Sequence, residues 1–105
     1  MPAFEFTPMR EELLNQWTAA FRELVETSMP MENFWTCLFA DYWGTFSWRR
    51  PFDEDPPNGR DVPEAEELSA EEHRARGRII AKTNRRIKAY FSYHYHRTNM
   101  QLLQS

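Results

Sequence analysis

The chain reads as all-α: a small three-helix bundle with an acidic, Pro-rich loop before a long basic third helix. Three observations carry that reading. Apolar residues recur at steps of three and four through most of the chain. A Pro-rich acidic stretch separates the second periodic segment from the third. The third segment opens on a strong helix-start signature and then runs basic to the end.

A first helix is expected over residues 8–27. Thr7 followed by Pro8 supplies a cap and a preset first turn, and Leu13, Trp17, Phe21 and Leu24 then recur at helical spacing. Pro30 punctuates the chain. Met31, Phe34, Trp35, Leu38, Phe39, Tyr42 and Trp43 predict a second helix over 30–44, ending at Gly44. Its wide aromatic stripe suits a middle helix packed on more than one side.

Residues 45–68 are expected to form an extended segment pinned by Phe46 and Trp48, followed by the acidic loop. That loop carries Asp53, Glu54, Asp55, Asp61, Glu64, Glu66 and Glu67, with a turn at Asp55-Pro56-Pro57-Asn58-Gly59. Ser69 and Glu72 then form a capping-box pattern that starts a third helix over 69–103. Thirty-odd helical residues extend roughly 50 Å, more than so small a bundle needs, so this helix either projects or breaks, with Gly77 one possible break and the β-branched and aromatic run after Tyr90 a weaker one.

At 105 residues the chain suits one domain, with an aromatic content of 15% to fill its core. The net charge of −3 conceals strong segregation. Met1 to Glu72 holds five bases and sixteen acids, net −11, while His73 to Ser105 holds eight bases and no acid, net +8. Such a split marks a polyanion-binding surface, an internal electrostatic clamp, or both.

At about 100° per residue, Ile80, Thr83, Ile87, Phe91, Thr98 and Leu102 fall on one side of the third helix. Arg74, Arg78, Lys82, Arg85 and His96 fall opposite, with Tyr93 near them and Tyr90 and Arg97 on one flank. Cations interleaved with rings suit phosphate contact and base stacking. Arg74, Arg78, Lys82, Arg85, Arg86, Lys88, Tyr93 and Arg97 are therefore the candidate nucleic-acid contacts. The competing reading is a solvated outer face whose cations pair with the acidic loop, Glu64 to Glu72 folding back over Arg74 to Arg86.

No catalytic motif appears, and the expectation is a non-enzymatic module without cofactor or metal. Gly44, Gly59 and Gly77 are isolated, so no phosphate loop exists. His94 and His96, two apart, point away from each other on a helix. Cys37, among Trp35, Leu38 and Phe39, is expected to be a buried inert thiol. That single cysteine, the absence of an apolar run near ~20 residues, and Glu5, Glu11 and Glu12 where a leader needs bases all point to an intracellular protein, in cytoplasm or nucleus.

Phe34-Trp35, Phe39, Tyr42-Trp43, Phe46, Trp48-Arg49 and Pro51, followed after the acidic gap by Arg78-Ile79-Ile80, Thr83, Arg86-Ile87-Lys88 and Phe91, form a second pattern. Over about residues 34–97 it resembles a helical domain of uncharacterised basidiomycete fungal proteins, with Tyr90 in place of an expected tryptophan. The resemblance implies the N-terminal domain of a longer protein and no particular activity. The expected partners are nucleic acid first, and otherwise an acidic protein surface or, through Leu102 and Leu103, a second copy of the chain. The alternative function is accordingly a protein-interaction or dimerisation domain of a larger protein; a membrane partner is not expected.

Overall fold

The computed structural model describes residues 6–62 and 67–104, with side chains described as far as His96. The described residues are all-α, without strands. Four helices replace the expected three: α1 (Pro8–Asn15), α2 (Thr18–Glu26), α3 (Glu32–Thr45) and α4 (Ala70–Gln104).

The helix expected over 8–27 is divided at Gln16 and Trp17. Trp17 N–H bonds the Leu14 carbonyl at 3.0 Å, a three-residue step that tightens the chain, and the Thr18 hydroxyl takes the Asn15 carbonyl at 2.7 Å. The Trp17 indole is held in place by donating to Asp41 Oδ2 at 2.9 Å. Leu13, Trp17, Phe21 and Leu24 all still face the core, so the apolar period runs through a break it does not register.

Helix α1 begins as expected: Thr7 is extended at φ −61° and ψ 158°, and its hydroxyl accepts from Arg10 N–H at 3.4 Å. Helix α2 closes with Ser28 at φ 55°. Ser28 N–H reaches the Val25 carbonyl at 3.2 Å and Met29 N–H the Leu24 carbonyl at 2.9 Å, the paired bonds of a Schellman ending. A left-handed serine is strained where glycine is not. Ser28→Gly is therefore expected to raise stability by about 0.5–1 kcal/mol in a urea titration.

Helix α4 runs unbroken through Gly77, against the expectation of a weak point there. A Cβ at Gly77 would meet nothing within 4 Å, so the position is exposed helix with no packing reason to bend. Its helix penalty of ~1 kcal/mol is too small to end a helix anchored on either side. Gly77→Ala should recover most of that amount by the same measurement. The 35 residues of α4 extend ~52 Å at 1.5 Å per residue, matching the 52 Å long dimension of the molecule.

The core lies where α3 meets the other helices. Leu14, Leu38, Tyr42 and Ile87 are fully buried, and Phe21 touches Phe34, Trp35, Phe91 and Tyr95 at ring separations of 5.2–6.0 Å. Polar latches fix the register of the helices. Trp43 Nε1 donates to Asn84 Oδ1 at 2.9 Å across α3 and α4, and the Tyr90 hydroxyl donates to Asn15 Oδ1 at 2.8 Å across α4 and α1.

Trp35 and Trp43 are only half-buried, flanking the core rather than filling its centre. Cys37 is exposed, contrary to expectation. It lies about 100° around the helix from Leu38, outside the arc of Phe34, Leu38 and Tyr42, so its sequence neighbours are not its spatial ones. Among the described residues no helix is long and apolar enough to cross a membrane.

Candidate anion-binding surface

The candidate site is built in two layers: a buried tie that fixes the segment after α3, and the cationic surface of α4 beside it. Arg10, on α1, is 2% exposed. One terminal nitrogen donates to the Tyr42 hydroxyl at 2.7 Å, and the other to the carbonyls of Pro51 and Glu54 at 3.2 Å each. Its guanidinium lies 4.6 Å from the Phe46 ring centre and 5.6 Å from that of Phe52. One arginine thus holds α1, α3 and the loop together.

The loop answers with Asp55. Its carboxylate accepts from the Thr7 hydroxyl and, at 3.5 Å, from Met9 N–H, placing negative charge at the start of α1. Burial raises the Tyr42 phenol, partly offset by Arg10. The Tyr90 phenol is pushed up to about 12 by burial, with Glu11 adding to the effect.

Asp61 and Glu72 take the two arginines that follow Trp48. Asp61 accepts from Arg50 at 2.7 and 2.6 Å and from Ser47 N–H at 2.8 Å. The Arg50 bonds hold its carboxyl below the usual range against the opposing effect of burial, with Ser47 assisting. Arg50 is raised in turn, chiefly by its bond to Asp61.

Glu72 pairs with Arg49 and closes the capping box: Ser69 N–H donates to it at 3.0 Å, and Glu72 N–H donates to the Ser69 hydroxyl at 3.2 Å. The Ser69 N–H first, then Arg49 and the Ser69 hydroxyl, bring the Glu72 carboxyl down to about 2.

Depressed carboxylates stabilise the fold above their unfolded values and lose that contribution as pH falls through their folded ones. Stability should therefore decline as pH drops from about 4.5 towards 2, the range set by Glu72. Urea midpoints measured against pH test this, and Glu72→Gln should flatten the decline.

The eight contacts expected from the sequence separate into groups. Arg74, Arg78, Lys82 and Arg85 are exposed on α4, and none has an ion-pair partner among the described residues. Lys88 is exposed, with Nζ 5.5 Å from the Trp35 ring centre. Tyr93 is exposed beside His94. Arg86 instead turns inward, 4.9 Å from the Phe52 ring centre. The side chains of Arg97, Leu102 and Leu103, and residues Glu64 and Glu66, lie outside the described residues.

No family model, curated protein or solved structure matches the chain.

Of the segment Glu64 to Glu72 that the competing reading folds back over Arg74 to Arg86, Glu64 and Glu66 lie outside the described residues. Asp55 caps α1, Asp61 and Glu54 pair with Arg50, and Glu72 pairs with Arg49. The sequence reading missed Arg10 and the Arg49–Arg50 pairings. Arg10 had a signal: it falls three and four residues before Leu13 and Leu14, on the core face of α1.

A cleft of about 560 Å³ opens between Trp43, Trp48, Leu68 and Ile80, with Asp61, Glu67, His73 and Arg76 on its walls. Among the described residues no hydrogen bond joins any two of those four titratable side chains.

Proposed function

We propose that the chain is a non-enzymatic binding module that contacts nucleic-acid backbone through the outer face of α4. One observation carries the reading: Arg74, Arg78, Lys82 and Arg85 stand exposed without an ion-pair partner among the described residues. From Arg74 to Arg85 these cations occupy ~17 Å of helix.

A helix face of this kind grips phosphates as point charges, and the order of bases is not read by such contacts. Tyr93, further along α4, supplies a ring on which an unpaired base can stack. Lys88 extends the cationic run by one turn.

Anisotropy of a labelled single-stranded oligonucleotide at about 50 mM salt tests the reading, with micromolar affinity expected for a non-specific contact of this size. The triple variant R74Q/R78Q/R85Q should lower that affinity by at least ~10-fold, since all three positions are exposed and carry no packing. An acidic polypeptide bound in place of the oligonucleotide would favour the protein-interaction reading instead.

A further inference from the structure

Beneath the outer face of α4 lies a second cationic feature, a cleft of about 260 Å³ between α4 and the chain from Ser47 to Phe52. Ile79, Lys82, Thr83 and Arg86 form one wall at spacings of three and four, hence one side of α4. The opposite wall carries Trp48, Arg49, Arg50 and Phe52, and Arg10 lines the cleft between them.

The lining contains five cationic side chains and no carboxylate. Arg49 and Arg50 have partners in Glu72 and Asp61, neither of which lines the cleft. Arg10, Lys82 and Arg86 have no carboxylate at ion-pair distance among the described residues. Three cations without a direct ion pair along one cleft repel one another, and an anion entering between them reduces that repulsion.

Two polar groups in the lining also make no hydrogen bond. Arg10 Nε is buried and has no partner. Thr83, 7% exposed, makes no side-chain hydrogen bond among the described residues, not even to the helix carbonyl a turn earlier that a threonine ordinarily takes. Its hydroxyl is therefore open to a group entering the cleft.

We propose that this cleft is a binding site for a phosphate monoester carried by a small molecule. Lys82 and Arg86 supply the charge, the Thr83 hydroxyl supplies a hydrogen bond, and Trp48 and Phe52 form an apolar rim against the rest of the ligand. The volume holds several waters at ~30 Å³ each, room for a phosphate and the first part of its ester. The site shares Lys82 with the outer face but is otherwise distinct from it, because Arg74, Arg78 and Arg85 do not line it.

The test is calorimetric titration of the full chain with inorganic phosphate and, in parallel, with a nucleoside monophosphate, supported by thermal melting. Wild type should bind both and melt at higher temperature in their presence. Lys82→Gln, at an exposed position, should keep the fold and weaken phosphate binding about 10-fold, and Thr83→Val should weaken it about 3-fold or more.

Arg22→Gln, a lost cation on α2, should leave phosphate affinity unchanged. Absence of heat or stabilisation with either ligand would overturn the proposal, as would equal weakening by Arg22→Gln. Oligonucleotide binding by R74Q/R78Q/R85Q is read separately, so failure here leaves the reading of the outer face standing.

Discussion

Arg10→Ala is expected to cost about 3–5 kcal/mol of stability, a large part of the roughly 5–15 kcal/mol that holds a domain of this size together. The substitution leaves a buried gap between Phe46 and Phe52 and removes three hydrogen bonds. The Tyr42 hydroxyl and the Pro51 and Glu54 carbonyls lose their donor, and unsatisfied buried groups cost ~1–3 kcal/mol each where water cannot reach them. Solvent reaching the partly exposed carbonyls lowers that figure, which is why the total stays below the sum.

Arg10→Met separates packing from bonding. It refills the space but donates nothing, and it also removes a charge whose desolvation is itself unfavourable. A methionine variant intermediate between alanine and wild type in urea midpoint would assign the remaining loss to the hydrogen bonds. A methionine variant more stable than wild type would mean that desolvation outweighs them, and that Arg10 is retained for the cleft it lines.

The elements that follow from local rules were legible before the structure. The Thr7-Pro8 start, the Ser69–Glu72 capping box and the aromatic stripe of α3 each act within a few residues, and all three appear as expected. What escaped is long-range. The first helix divides at Trp17, whose indole is held by Asp41, twenty-four residues away in the chain.

Arg10's spacing from Leu13 and Leu14 puts it on the core face of α1, but the chain around Pro51 and Glu54 that returns to bury it is not legible from that spacing. Charge order alone also does not say which cation an acid takes. Asp61 and Glu72 pair with Arg50 and Arg49, which precede the basic helix in the chain. Arg86 was grouped with the outer cations, yet it lies about 80° around the helix from Arg78, on the side that meets Phe52.

The second large effect is the response of oligonucleotide binding to salt. A protein that neutralises phosphates releases condensed counterions, so affinity falls as a power of salt concentration, with an exponent of about 0.7–0.9 per contact. Four contacts from Arg74, Arg78, Lys82 and Arg85 predict a slope near −3. Between about 50 and 200 mM salt that is a loss of roughly 50- to 150-fold.

Acids that competed for the same cations would shallow this dependence, because salt would weaken the internal pairs as well as the external ones. The occupied state of Asp61 and Glu72 makes such competition from them small. The slope therefore measures directly whether the outer face of α4 is open to a polyanion. It is obtained from oligonucleotide affinities across a salt series, for wild type and for R74Q/R78Q/R85Q. The account predicts a slope of about −3 that shrinks by roughly 0.7–0.9 for each cation removed; a slope near zero, or one that the triple variant leaves unchanged, would contradict it.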